Sequence, residues 1–497
     1  MSEPFLQRIR SRFRPIHVAP LLAIIALGAW MFASPIGSSP DDDFHLTSIW
    51  CANDARTDLC EPGPSPAERV VPAVVLGAPC FAYNEESSAT CQTALLEKPF
   101  EPSVVTGRGS FEHNYPPVFY GFMNVFASDN LLVSALVMRF INILLFVGLS
   151  VALFMLLPSD RRSTMLWAWT LTLVPLGLFL IASNNPSSWA IIGVGSSWLA
   201  LLGFFESTGR RQVGLGIVFG LATVMAAGAR GDAALYTILG SVMVGFLTFA
   251  RTRAWALRAI LPVAMAVVAG LFFLASRQSQ VAVTGLGDSV SSDIPLSGFG
   301  LLAYNLLNVP QLWAGIFGGW PLGWLDTTMP AVVIFGGLGV FVAVVFIGLG
   351  ILSWRKVIAA LGVVLVLWLL PTVVLMQGGN AVGQNVQPRY LLPIIIVLAG
   401  VAMLSVGNRF VRLGRAQTLL IGVALSVGQA FALHVNMRRY LTGTDIQGGN
   451  LDDGAEWWWN GLIFSPMAVW VIGAAAFTGL VVIILRHLRK SDYELVS

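Results

Sequence analysis

Apolar stretches long enough to cross a bilayer recur along the whole chain, separated by polar or Gly/Pro-rich breaks. A membrane helix needs about 20 mostly apolar residues, because a rise of about 1.5 Å per residue must cover roughly 30 Å of hydrocarbon. That template predicts twelve spans, at roughly 18–37, 131–157, 164–183, 188–205, 213–229, 234–250, 258–276, 328–352, 358–376, 391–407, 417–435 and 465–485. The expected fold class is an all-α polytopic membrane protein, with residues 1–497 forming a single transmembrane domain. The first run reads as a retained helix and not a cleaved signal peptide. It is long, Phe32-Ala33-Ser34-Pro35 offers no small-x-small site, and Pro40 follows Gly37-Ser38-Ser39 directly.

The breaks between spans are unequal. The first, residues 38–130, is far longer than an ordinary connection. Near its end Pro117 is placed to open a short aromatic helix lying in the membrane interface. A second long break, 277–327, is small and polar from Gly285 to Ser297, then apolar and aromatic through Trp313, Trp320 and Trp324 to Asp326. Gly and Pro interrupt that second half too often for a regular span, so it suits an interfacial or re-entrant segment sheltered by protein. Residues 377–389 form a polar Gly/Asn/Gln-rich loop, and 434–460 carries Asp452, Asp453, Glu456 and the run Trp457-Trp458-Trp459. The run suggests a membrane-interface belt, with a sugar-stacking platform as the weaker reading.

Composition agrees: 56% of the 497 residues are hydrophobic and 11% charged, which excludes a soluble domain. Basic residues set the orientation. Nineteen of the 29 Lys and Arg fall at the two termini and in alternate, mostly short loops, among them Arg161, Arg162, Arg210, Arg211, Arg355, Lys356 and Arg409. That side is expected to be the cytoplasm, with both termini on it. Its loops leave no room for a nucleotide-binding domain, so chemistry is expected on the outer face. Nothing in the pattern calls for nucleic acid. Arg greatly outnumbers Lys, which with abundant Ala, Gly and Val suggests a GC-rich bacterial genome and a cytoplasmic (inner) membrane. All four cysteines, Cys51, Cys60, Cys80 and Cys91, fall in the first outer loop. An even count there favours two disulfides over free thiols or a zinc site, with Cys51–Cys60 and Cys80–Cys91 the local pairing of three.

The sharpest candidate chemistry lies where the first span emerges, at Pro40-Asp41-Asp42-Asp43-Phe44-His45. Adjacent carboxylates repel one another, and their crowding suits a divalent cation (Mg²⁺, Mn²⁺ or Ca²⁺) or a general base with a raised pKa. A solvated helix stop is the alternative. Arg139 sits within the second span, where a charge is costly and needs a polar partner. Arg230 with Asp232, and Arg389 with Tyr390, stand at outer span ends. Arginines converging there would bind phosphate through paired hydrogen bonds; singly, each is an interface anchor. Asn184-Asn185-Pro186 reads as a turn.

These pieces occur in a recognisable order. Pro40-Asp41-Asp42-x-x-His45, Tyr115-Pro116-Pro117-Val118-Phe119-Tyr120, Arg139-x-x-Asn142, the segment Phe317-Gly318-Gly319-Trp320 to Gly323-Trp324-Leu325-Asp326-Thr327, and Gln387-Pro388-Arg389-Tyr390 together resemble the motifs of the bacterial membrane family called domain of unknown function 2142. Asp42 stands where that family usually has Glu, Pro388 where it usually has Gly, and the cysteine-bearing insertion is outside the motif set.

The resemblance implies a GT-C-like glycosyltransferase that takes sugar from a polyprenyl-phosphate lipid and passes it, with inversion, to an extracytoplasmic cell-envelope glycan or lipid acceptor. Asp41 or Asp42 would be the base or metal ligand. His45, Arg139, Asn142, Arg230, Asp326, Arg389 and Tyr390 would bind substrate. A transporter or flippase of lipid-linked sugars, and a non-catalytic partner of a glycan synthase, are the alternatives.

Overall fold

The computed structural model describes residues 15–97, 103–286 and 296–494. Arg8, Arg10, Arg12, Arg14 and Lys98 lie outside these residues, as do residues 287–295, most of the small, polar stretch from Gly285 to Ser297. Among the described residues the protein is mostly helical, and nine helices are long and apolar enough to cross a membrane. Twelve were expected. The segment predicted at 164–183 is two helices, Ser159–Thr172 and Leu176–Ile181, because Pro175 has no N–H with which to continue the first. The one predicted at 391–407 ends early: Pro388–Ala402 has 15 residues, about 22 Å of helix. Gly209–Ala227 begins with Arg210, Arg211 and Gln212, so its apolar part is shorter than its 19 residues.

Hydrogen bonds define two ends of the bundle. At one, Arg161 bonds Glu206 at 2.7 and 2.8 Å and Ser405 at 2.9 Å. There too Arg258 reaches the Phe205 carbonyl, Arg355 those of Leu247 and Phe249, and Lys356 those of Gly348 and Leu404. The basic loops therefore meet on one face. Residues 31–41, 184–185, 389 and 436–440 gather at the other. The Ser187–Glu206 helix runs between the ends almost wholly buried. Gly193 lets the neighbouring Gly209–Ala227 helix approach closely, since a Cβ there would stand 2.5 Å from the Ala222 carbonyl oxygen.

The described residues of the long first loop form a cap. It carries the short helix Asp42–Trp50 and a three-stranded antiparallel sheet of Glu61–Pro62, Arg69–Pro72 and Ser103–Thr106, with Arg69 opposite Thr106. Cys51 is bonded to Cys60 and Cys80 to Cys91, the pairing favoured from sequence. The aromatic helix expected after Pro117 is Val118–Asn124. The broken 301–326 segment forms the helix Gly298–Ala314, one wide turn at Gly315–Gly319, and a loop. It is sheltered by the Trp354–Gln377 helix, through Trp313 to the Leu367 carbonyl and Trp368 to that of Leu306. Two of the three adjacent tryptophans are neither belt nor platform. Trp457 and Trp459 are buried, and Trp459 donates 2.7 Å to the Phe32 carbonyl at the end of the first helix.

Candidate functional site

The site is built outward from the end of the Ala19–Phe32 helix. A helix leaves its last carbonyls without partners and its C-terminal end partly negative. Arg139 answers both needs. Its guanidinium donates to the carbonyls of Met31 (2.9 Å), Ser34 (2.6 Å) and Pro35 (2.7 Å), and to the Asn184 side chain (2.9 Å). Asn142 donates to the Ser183 carbonyl and accepts from Trp189, each at 2.9 Å. Both residues are buried. They are held by protein partners and brace the chain leading to the acids. The Asn184-Asn185 turn has the same part: Asn185 donates 2.8 Å to the Pro40 carbonyl, which Arg389 also reaches at 3.1 Å.

The three carboxylates then splay apart. Asp41 has φ of +60°, a left-handed conformation that Asp tolerates better than most residues, as the chain enters the Asp42–Trp50 helix. Its side chain is 39% exposed and lies between Arg389 at 2.6 Å and Arg108 at 3.2 Å. Asp43 takes the other side of Arg108, at 2.8 and 3.1 Å. Asp42 turns inward, fully buried, and accepts from the backbone N–H and hydroxyl of Ser39.

Environment separates their acidities. Burial, the strongest influence on Asp42, raises its pKa to about 6 against the Ser39 hydrogen bonds. Burial also acts to raise Asp41, but the charges of Arg389 and Arg108 prevail and hold it at about 2. His45 bonds the Tyr120 hydroxyl at 2.9 Å and is kept neutral chiefly by burial, which drives its pKa well below the usual value.

Beside the acids lies a second charged pair. Arg230 is fixed by Asp232 through two bonds of 2.9 and 2.8 Å. The Tyr390 ring joins the two arginines: the Arg230 guanidinium lies 4.7 Å from its centroid and that of Arg389 5.1 Å, and Arg389 also donates to its hydroxyl at 3.2 Å. Arg389 Nε is buried without a partner. A cavity of about 180 Å³ opens here. Its lining is mostly apolar, with Leu235, Phe273, Val281, Leu370 and Val374, and also includes Arg230, Asp232, Tyr115, Tyr390, Gln278 and Gln377.

The structure thus brings Asp41, Arg230, Arg389 and Tyr390 together, with His45 behind them against Tyr115 and Tyr120. It leaves Arg139, Asn142 and Asp326 in bracing positions. Asp326 is buried against Arg439 at 2.7 Å. Sequence reading missed Arg108, whose only signal is the flanking pair Gly107 and Gly109. It missed Arg439 too, although an Arg at the end of a span opposite the basic loops runs against the charge bias and could have been flagged. A divalent cation does not fit these donors. Asp41 and Asp43 are neutralised by guanidinium groups, Asp42 faces Ser39, and no group of three or more His, Cys, Asp or Glu among the described residues is placed to hold a metal.

A helical multi-pass membrane protein, with a part-buried charged site capped by a disulfide-bonded loop, is the class that fold and site define. The chain belongs to the family described as predicted membrane protein (DUF2142), whose model matches residues 24–437 and so includes the acids and all three arginines at 139, 230 and 389. No curated protein and no solved structure matches it.

Proposed function

We propose that this protein is a GT-C-like glycosyltransferase that moves a sugar from a polyprenyl-phosphate donor to a cell-envelope acceptor on the outer side of a bacterial cytoplasmic membrane. One observation carries the reading: a mostly apolar cavity has Arg230, Asp232, Tyr115 and Tyr390 in its lining, and the Tyr390 ring also packs on Arg389 of the Arg389–Asp41 pair. A prenyl segment suits the apolar lining, a phosphate the arginines, and the Asp41 carboxylate is exposed beside them for the sugar. Two features support the orientation. The disulfides lie at the site end, as an oxidising compartment favours, and the basic loops meet at the opposite end.

Asp41 is the base in this mechanism, since Asp42 has no access to substrate. An acceptor hydroxyl attacks the anomeric carbon from the face opposite the phosphate. Its proton passes to the Asp41 carboxylate, the new C–O bond forms, and the bond from anomeric carbon to phosphate oxygen breaks with its electron pair going to phosphate. Arg230 and Arg389 offset the charge that grows there. At a pKa of about 2, Asp41 is a weak base while Arg389 holds it. The donor phosphate competes for that guanidinium. As the phosphate shares the charge of that buried guanidinium, the hold on Asp41 weakens and the Asp41 pKa rises, so donor binding prepares the base.

The test is release of polyprenyl phosphate from a radiolabelled polyprenyl-phosphate sugar by the reconstituted protein. Wild type should release it and Asp41→Asn should not. If wild type binds polyprenyl phosphate no better than Arg389→Ala does, the reading falls.

A further inference from the structure

A second cleft, of about 440 Å³, lies on the same end of the molecule and is unlike the first. One wall is Tyr83, Asn84, Glu85 and Glu86, from the loop closed by the Cys80–Cys91 disulfide; the other is Trp324, Leu325 and Asp326. Tyr83 is 82% exposed, although a tyrosine ring is costly to leave in water, and meets Trp324 edge-on with centroids 5.1 Å apart. Trp324 is fixed by its N–H to the Gly37 carbonyl at 2.8 Å. The carboxylates of Glu85 and Glu86 make no hydrogen bond or ion pair among the described residues.

The walls are held at a set separation by one buried side chain. Arg439 donates to the carbonyls of Phe81 (3.1 Å), Asn84 (3.1 Å) and Ser87 (2.6 Å) on one wall, and to Asp326 (2.7 Å) on the other. The loop is pinned again where the Thr444 N–H reaches the Glu85 carbonyl at 3.0 Å. The cleft is therefore formed before any ligand arrives, which lowers the cost of binding. Burial and the Asp43 and Asp41 carboxylates push up the Tyr83 hydroxyl, with Arg108 opposing, so that hydroxyl lies within their field.

We infer that this cleft is the acceptor subsite: it takes a ring of a neutral or amino-bearing oligosaccharide, stacked on Tyr83 beside Trp324 and hydrogen-bonded by Glu85 and Glu86. Sugar rings present apolar C–H faces that pack on aromatic rings, and hydroxyl or ammonium groups that donate to carboxylates. The acidic lining of Glu85, Glu86 and Asp326, which includes no basic residue and whose nearby Arg439 is buried and committed to Asp326, disfavours uronic or phosphorylated sugars. The inference rests on the glycosyltransferase reading for its role as acceptor site, but not for binding sugar.

The experiment is saturation-transfer NMR and calorimetry on the full-length protein in nanodiscs, with maltohexaose, chitosan hexamer and an oligogalacturonate hexamer as probes. Wild type should bind maltohexaose or the chitosan hexamer and discriminate against oligogalacturonate. Tyr83→Ala, at an exposed position, should weaken binding by about fivefold or more, and Tyr83→Phe should retain it. Glu85→Gln with Glu86→Gln should weaken the chitosan hexamer more than maltohexaose. Polyprenyl phosphate binding should be unchanged in all of these variants. Wild type binding neither favoured probe, Tyr83→Ala binding like wild type, or preference for oligogalacturonate would overturn the inference while leaving the donor site intact. Sugar binding that depends on Tyr83, in a protein whose polyprenyl phosphate binding ignores Arg389, would keep the cleft and sink the donor reading.

Discussion

Arg389 and Asp41 are 348 residues apart in the chain and 2.6 Å apart in space. The pair joins the first outer loop to the buried Pro388–Ala402 helix, beside a mostly apolar cavity of about 180 Å³. It is asymmetric: the arginine side chain is 3% exposed and the aspartate 39%, so the cation is the fixed partner and the carboxylate the accessible one. Arg389 keeps an unpartnered N–H as well, and a buried donor with no acceptor is costly unless a ligand supplies one.

Lipid phosphate should therefore depend on Arg389. Arg389→Ala removes the paired donors and should weaken polyprenyl phosphate binding about tenfold or more. Arg389→Lys keeps the charge without the planar fork and should fall between. Thermal-shift or calorimetric titration in nanodiscs reads both. Equal affinity for wild type and Arg389→Ala would make Arg389 a structural anchor of the first loop.

The neighbouring aspartates should separate by function. Asp41→Asn retains size and hydrogen bonding but cannot accept a proton, so transfer should drop at least about a hundredfold with donor binding preserved. Asp42→Asn should leave most of the rate, because that carboxylate is buried against Ser39. If Asp42→Asn abolished transfer and Asp41→Asn did not, the assignment of the base would be reversed.

Asp42 has a further signature in stability. Its pKa is raised from 3.8 to about 6, so the folded state binds this proton more tightly than the unfolded chain. Its contribution is full below pH 3.8 and is lost as pH rises through about 6, with a ceiling of roughly 3 kcal/mol. His45 acts oppositely: buried and neutral, it costs stability as pH falls below 6.5. Comparing melting temperatures of wild type and Asp42→Asn across pH 4–7 isolates the first effect. The difference should move in favour of the variant as pH rises, and a constant difference would show that Asp42 titrates normally.

How much of this was legible in the sequence depends on the distance over which each feature is encoded. Hydropathy is local, so nine long helices could be read directly; the break at Pro175 was local too, but was outweighed by the apolar residues around it. The disulfides followed from four cysteines confined to one loop with short spacings. Chemistry-bearing residues at span ends were found as types, while their partners were not. Nothing near residue 41 indicates that residue 108 or 389 will neutralise it, and nothing near 139 indicates that its partners will be the last carbonyls of the first helix. A charge inside a span signals that partners exist, and only the fold says whether they are substrate or backbone. Which of three consecutive aspartates faces outward depends on one left-handed residue, Asp41, that composition does not mark.

Arg439 and Asp326 supply the last prediction. Both side chains are almost fully buried, at 0% and 7% exposure, and 2.7 Å apart. Removing one member of such a pair leaves the other charged and unsolvated, which typically costs about 3–5 kcal/mol, whereas removing both costs much less than the sum. Arg439→Met and Asp326→Asn should each lower the melting temperature of the purified protein sharply, and the double variant should recover part of the loss. The two single variants should still differ. Arg439 also holds the Phe81, Asn84 and Ser87 carbonyls, so its loss frees the wall that carries Tyr83, while loss of Asp326 leaves that wall pinned. Hydrogen exchange across residues 81–87 should accordingly rise more in Arg439→Met than in Asp326→Asn. Additive destabilisation, with equal exchange in the two variants, would mean that the pair is not coupled and that Arg439 does not set the cleft.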